Sequence, residues 1–263
     1  MKISAVIIAG NEEEKIGDAI RSVDWADEVL VIDSESTDRT REIAEGMGAR
    51  VIVQAWPGFS KQKQFGTDAA KNDWIFSLDA DERVSTELRN EIEEVRKNEA
   101  DQEIAGYKIP RLSYYMGRRV RHSGWYPDWQ MRLFDRRRGR WSEALVHESV
   151  KLIDGAGSEK LKGDILHYTV ENALHHHTMI GERYAPLAAR QMFERGATTS
   201  QLKIMTAGPL AFFSSYVLKR GFLDGLAGFS IARFAAHHAF LKHMCLWELQ
   251  NGKGKAEVPR MRE

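Results

Sequence analysis

Trp74-Ile75-Phe76-Ser77-Leu78-Asp79-Ala80-Asp81-Glu82 is an apolar run that ends in two acids spaced two residues apart. The run reads as a buried strand, and side chains at i and i+2 of an extended segment point the same way. Asp79 and Asp81 are therefore expected to face one target together. An uncompensated carboxylate costs several kcal/mol to bury. The pair implies a metal ion, a polar ligand or simple exposure at a strand end. An isolated Asp-x-Asp recurs by chance in many proteins, so the preceding segments decide how to read it.

Those segments alternate apolar runs with helical spacing. Strands are expected at Ile3–Ala9, Glu28–Asp33, 49–54 and Trp74–Asp79, with helices at 12–23, 38–47 and 60–70 between them. Asp38 suits the N-cap of the second helix, and Gly46 and Gly48 supply its stop. Strand–helix alternation predicts an α/β fold: a parallel sheet with helices on both faces. A Glu/Arg-rich exposed helix over 85–98 follows.

Open parallel sheets bind ligands beyond the carboxyl ends of their strands. Here those ends carry Ala9-Gly10-Asn11-Glu12-Glu13, Asp33-Ser34-Glu35-Ser36-Thr37-Asp38 and Asp79-Ala80-Asp81-Glu82. Three polar, acidic strand ends converging on one crevice are hard to reconcile with solvation alone. The first strand is not followed by Gly-x-Gly-x-x-Gly, and no Gly-x-x-x-x-Gly-Lys-Ser/Thr occurs, so the usual phosphate cradles are missing. A site for phosphates would then need a cation, and carboxylates suit Mg²⁺ or Mn²⁺. The Asp33 carboxylate can accept hydrogen bonds from ribose hydroxyls or a base N–H.

The chain's 263 residues suffice for one large domain, with or without an appendage. Its 38 basic and 38 acidic residues balance, so no global field draws it to nucleic acid. A single cysteine, Cys245, excludes an internal disulfide and fits a reducing compartment. The opening residues lead straight into a strand without a signal-peptide pattern, which predicts a cytoplasmic protein. A membrane span needs about 20 mostly apolar residues. The apolar runs within 207–250 are broken by Lys219-Arg220, Asp224, Arg233, His237-His238 and Lys242. Spanning is not expected, whereas contact with a membrane surface stays open.

Three motifs, Ala9-Gly10-Asn11-Glu12-Glu13, Val31-Ile32-Asp33-Ser34-x-Ser36-Thr37-Asp38-x-Thr40 and Leu78-Asp79-Ala80-Asp81-Glu82, together resemble the nucleotide-sugar half of family 2 glycosyltransferases. Gly10 departs from the aromatic residue that many members carry there. Further stretches resemble the bacterial lipopolysaccharide-core β-1,4-glucosyltransferase branch: Trp56-Pro57-Gly58-Phe59-Ser60, Ser123-Gly124-Trp125-Tyr126-Pro127-Asp128, Gln130-Met131-Arg132-Leu133-Phe134, Val146-His147-Glu148 and Gly221-Phe222-Leu223-Asp224-Gly225. The resemblance runs to about residue 249.

It implies a GT-A fold, a Rossmann-like, mostly parallel sheet, plus a C-terminal helical segment. Residues 1–205 would form the catalytic domain, with 1–100 binding the nucleotide sugar and 101–170 on the acceptor side. Residues 206–250 would be amphipathic helices and 251–263 a basic, disordered tail. The implied activity is inverting, metal-dependent transfer of a hexose, glucose from UDP-glucose, onto a lipopolysaccharide inner-core sugar at the cytoplasmic face of the inner membrane. By this resemblance Ala9, Asn11, Glu13, Asp33, Ser36, Lys63 and Asp79 bind the donor, Lys63 facing its phosphates unless it is a solvated helix lysine. Asp79 and Asp81 hold Mg²⁺ or Mn²⁺, with His147 as a third ligand. Trp125, Gln130 and Arg132 contact the acceptor, or the diphosphate in the case of Gln130 and Arg132. Inversion needs a carboxylate base, and Glu148 is preferred to Asp128.

Other patterns carry a plainer reading beside a sharper one. The run Arg136-Arg137-Arg138-x-Arg140 suits a solvated turn or a lipid phosphate. His175-His176-His177 point about 100° apart on a helix and cannot chelate one ion together, which predicts a solvated helix start. The aromatic and basic residues beyond Pro209 suit packing onto the catalytic domain or an interface with anionic lipid. Alternatives to transfer onto lipopolysaccharide are a different lipid-linked or polysaccharide acceptor, a sugar-1-phosphate nucleotidyltransferase lacking its Gly-rich loop, and a carbohydrate-binding protein without turnover.

Overall fold

Ile3–Ala9 is buried at every position, as a strand covered on both faces must be. The computed structural model describes residues 1–97, 103–142, 148–153 and 155–252. The elements run β1 (Ile3–Ala9), α1 (Ile16–Ser22), β2 (Glu28–Asp33), α2 (Thr40–Gly46), β3 (Arg50–Val53), α3 (Phe59–Ala69), β4 (Trp74–Asp79), β5 (Glu82–Val84) and α4 (Thr86–Lys97). Then follow β6 (Ile104–Tyr115), β7 (Arg118–Arg119), β8 (Asp128–Asp135), β9 (Gly139–Trp141), β10 (Val150–Leu152), β11 (Gly157–Lys160), β12 (Ile165–Val170), α5 (Ala173–Thr178), α6 (Ala185–Glu194), α7 (Gln201–Phe213) and α8 (Gly225–Gln250). The chain divides into two compact units, residues 1–112 with 127–167, and residues 113–126 with 168 onward.

In the first unit the sheet order is β3-β2-β1-β4-β8-β6-β12-β5. The block β3-β2-β1-β4 is parallel, as expected from its strand–helix alternation. Beyond it β8 runs antiparallel to both β4 and β6, which makes the sheet mixed. One face packs Ile3, Ile7 and Phe76 against Ile16 and Ile20 of α1 and Leu88 and Ile92 of α4. The other packs Val6, Ile8, Leu30 and Ile32 with Phe134 and Trp141. Gly66 sets how closely α3 approaches that second face. A Cβ there would lie 2.5 Å from Val6 Cγ1 and 2.9 Å from Ile32 Cγ1, so the helix backbone rests directly on the sheet.

Local details differ from expectation. Asp38 does not cap α2 from the N-cap position, which Arg39 holds. Its carboxylate instead accepts the Thr40 N–H at 2.9 Å from one residue further out. The basic run beyond β8 is partly solvated, with Arg137 and Arg140 exposed, but its arginines are engaged within the protein. Arg136 donates to the Ala70 carbonyl at 2.6 Å, and Arg137 pairs with Asp135 at 2.7 Å and Asp73 at 3.1 Å. Residues 253–263 of the expected tail lie outside the described residues.

The second unit is built on Tyr115, Val120, Val170, Ala227 and Ile231. The histidine run is not a solvated helix start, because its middle member is buried. His176 Nδ1 lies 3.1 Å from the Tyr115 hydroxyl, and its ring is 4.2 Å from that of Phe234. Burial, helped by the neighbouring His175, pushes the His176 pKa down to about 4. A histidine kept neutral when folded takes up its proton more readily in the unfolded chain. Its contribution is complete above about pH 6.5 and is lost as pH falls toward 4, on the order of 3 kcal/mol in all. We expect urea midpoints to fall steeply between pH 7 and pH 5, and His176→Phe to flatten that limb. An unchanged slope in the variant would reject the assignment.

Candidate functional site

The ends of β1 and β2 are tied into one hydrogen-bonded knot. Asp33 is fully buried. Its carboxylate accepts the Ser36 N–H at 2.9 Å and also the Ser36 hydroxyl. Ser36 Oγ in turn accepts the Asn11 N–H at 2.9 Å, and Asn11 Oδ1 accepts the Thr37 N–H at 2.8 Å. Asn11 sits at φ 53°, in the left-handed region that asparagine tolerates better than most residues. Glu13 accepts the Arg39 N–H at 3.1 Å and gives its own N–H to Asp38 at 3.0 Å. Thus Asn11, Glu13, Asp33 and Ser36, with buried Ala9 at the strand end, stand together.

At the end of β4 the two acids do not share a strand face. Asp79 ends the strand, and Ala80-Asp81 turn into β5. Asp79 lies between two buried cations, Lys63 Nζ at 3.0 Å and Arg132 Nη2 at 3.2 Å. Burial alone would raise the Asp79 pKa. The fields of Lys63 and Arg132 outweigh it and hold the carboxyl well below the usual carboxylate range. Lys63 and Arg132 are each only 3% exposed. The solvated reading of Lys63 therefore fails: it reaches Glu148 at 3.0 Å on its other side and lies 5.1 Å from the Trp141 ring centroid.

Glu82, fully buried, organises the inner side. Its Oε2 accepts the Asp79 N–H at 3.0 Å, while Oε1 accepts Arg132 Nη2 at 2.8 Å and Arg111 Nη1 at 3.2 Å. Arg111 continues to Asp128, whose Oδ2 accepts Nε at 2.9 Å and Nη2 at 2.7 Å, and Gln130 donates to Asp128 Oδ1 at 2.7 Å. Arg132 Nε and Nη1 are buried without a hydrogen-bond partner among the described residues. An unpaired buried donor is costly, so this edge of the guanidinium is suited to an anion brought from outside.

Asp81 turns to a residue that the sequence did not single out. His167 Nε2, on β12, lies 3.2 Å from Asp81 Oδ2. No group of three or more His, Cys, Asp or Glu among the described residues is arranged to hold a metal, and His147 lies outside them. The Asp81–His167 pair nevertheless fits a divalent cation. Neighbouring ligands of an octahedral ion at about 2.1 Å stand roughly 3 Å apart. Asp79 Oδ1, beside the Lys63 ammonium, is buried and accepts no well-formed hydrogen bond among the described residues.

Trp125 belongs to the other unit, where its ring centroid is 5.9 Å from that of Tyr115 and 6.5 Å from that of His176. Glu82 was legible as the acid next to the Asp-x-Asp. Arg111 and His167, single residues inside strand patterns, carried no signal of their own.

A mixed sheet with a parallel α/β block, helices on both faces and an Asp-x-Asp ending an inner strand is the GT-A arrangement. Residues 4–150 match the model of glycosyl transferase family 2. The chain belongs to that family and is a glycosyltransferase. An uncharacterized glycosyltransferase of Rickettsia bellii is 34% identical over 264 residues, covering 94% of this chain and 87% of that protein. The lipopolysaccharide core biosynthesis glycosyltransferase LpsC of Rhizobium meliloti is 28% identical over 98% of this chain and 96% of its own. Among solved structures, glucosyl-3-phosphoglycerate synthase from Mycobacterium tuberculosis, in complex with Mn²⁺, UDP and glucosyl-3-phosphoglycerate, is 28% identical over 44% of each chain, with a TM-score of 0.35. A likeness that loose transfers no geometry.

Proposed function

We propose that the protein transfers a hexose, glucose from UDP-glucose, to a lipopolysaccharide inner-core sugar with inversion at the sugar carbon. The observation that carries the donor side is the pair of buried cations, Lys63 and Arg132, flanking Asp79 at the strand ends, with Arg132 Nε and Nη1 unpaired among the described residues. A departing nucleoside diphosphate is the anion that such an edge suits. The knot of Asn11, Asp33 and Ser36 is assigned to the nucleoside. Similarity to LpsC over nearly the full chain supports the acceptor class.

Asp81 and His167 would hold Mg²⁺ or Mn²⁺, with Asp79 beside them. When bound, the ion supplies charge neutralisation for the leaving diphosphate. Lys63 and Arg132 contribute fixed positive charge to the same end. The acceptor oxygen forms its bond to the sugar carbon as the bond to phosphate oxygen breaks, and the electron pair leaves with the diphosphate. The hydroxyl proton passes to a carboxylate. Glu148 suits that role better than Asp128, whose two oxygens are taken up by Arg111 and Gln130, whereas among the described residues Glu148 has a single ion pair, with Lys63.

Glu148→Gln is expected to lower kcat by roughly 10²–10⁴-fold with UDP-glucose affinity nearly unchanged. Single-turnover assays alongside calorimetry would check both. Unchanged turnover would move the assignment to Asp128. UDP binding that depends on Mn²⁺ but never leads to sugar release would instead support a binding protein without turnover.

A further inference from the structure

The helical unit presents a surface that donor chemistry does not use. Gly208 brings α7 against α8, where a Cβ would lie 3.3 Å from the Ala236 carbonyl oxygen. At about 100° per residue, Leu202, Met205, Leu210 and Phe213 fall within an arc of roughly 140° on the other side. Leu202 is 71%, Met205 73% and Leu210 64% exposed, where a surface helix ordinarily carries charge. Beyond α7, Leu218 and Leu223 are as open, at 67% and 56%, and they flank Lys219 and Arg220.

The charge on this surface is one-sided. Over α7 and the segment to Asp224 the chain has three cations, Lys203, Lys219 and Arg220, and one acid, Asp224. That acid is spent internally: its side chain is 7% exposed, accepts the Arg121 and His122 N–H groups, and lies 2.8 Å from His122 Nδ1. A second copy docked on this segment would bring like charges together, with Asp224 turned inward. No described helix is long and apolar enough to cross a membrane. Apolar side chains bordered by cations, on a helix that cannot span, match an anionic bilayer surface.

We propose that α7 and the segment 214–224 dock on an anionic phospholipid bilayer. The inference draws on the reading above only in that a lipid-anchored acceptor places a membrane within reach.

Sedimentation of the full chain with phosphatidylcholine vesicles, with and without phosphatidylglycerol, tests the proposal without donor or acceptor. Binding is expected only to the anionic vesicles and is lost in high salt, as screening shortens. Lys219→Gln with Arg220→Gln should weaken it by roughly 25-fold. Leu210→Gln with Phe213→Gln should abolish it while the melting temperature stays within a few degrees of the parent. Absence of binding to anionic vesicles, or unaltered binding by both double variants, overturns the proposal. So does a dimer that the Leu210/Phe213 variant dissociates, without vesicle binding, since the occupant would then be a second copy. UDP-glucose hydrolysis measured without vesicles reports on the donor reading separately, and its failure would leave the vesicle result standing.

Discussion

Asp81→Ala is expected to reduce Mn²⁺-dependent turnover by on the order of 10³-fold, with no loss of melting temperature. Asp81 is a quarter exposed, and among the described residues it pairs with His167 at 3.2 Å. Its removal therefore leaves no buried cation uncompensated. His167→Ala should shift the Mn²⁺ titration in the same direction, and calorimetry of UDP with and without Mn²⁺ would show binding that no longer responds to the ion. Full turnover in Asp81→Ala would sink the proposed metal role. The same substitution at Asp79 should act differently. It leaves Lys63 and Arg132, both nearly inaccessible, without the carboxylate between them, so folding suffers along with activity.

The largest effect on stability is expected at Glu82. Glu82→Gln preserves shape but removes the buried negative charge shared by Arg111 and Arg132, and it weakens acceptance of the Asp79 N–H. Breaking a buried ion pair from one side costs about 3–5 kcal/mol because the partner's charge stays behind. In a chain of this size that corresponds to a fall in Tm on the order of 10 °C. Thermal unfolding followed by circular dichroism would measure it. A Tm within two or so degrees of the parent would mean that Asp79 and Asp128 suffice to hold the two arginines.

Several parts of this arrangement are legible in the amino-acid sequence. Buried parallel strands read as continuous apolar runs, so β1, β2 and β4 fell where Ile3–Ala9, Glu28–Asp33 and Trp74–Asp79 suggested. The polar residues at their carboxyl ends were legible as the place where such a sheet binds ligands, and the structure ties those of β1 and β2 together. The resemblance to family 2 glycosyltransferases rested on the same three stretches, and the match over residues 4–150 bears it out.

What was not legible concerns partners. Lys63 looked like any helix lysine, and its burial follows from the approach of α3 to the sheet at Gly66. Asp79 and Asp81, two residues apart, were expected to face one target together, but the turn at Ala80 sends one toward Lys63 and Arg132 and the other toward His167. Arg111, Arg132 and His167 come from β6, β8 and β12, strands far along the chain whose order relative to β4 and β5 no local pattern encodes. Periodicity along a chain specifies which face of an element is apolar and where a strand ends. By itself, then, the amino-acid sequence determined the α/β block and its family. The tertiary structure alone decided which countercharge each carboxylate meets, because a buried charge is compensated by whatever strand order brings within about 3 Å, not by its neighbours in sequence.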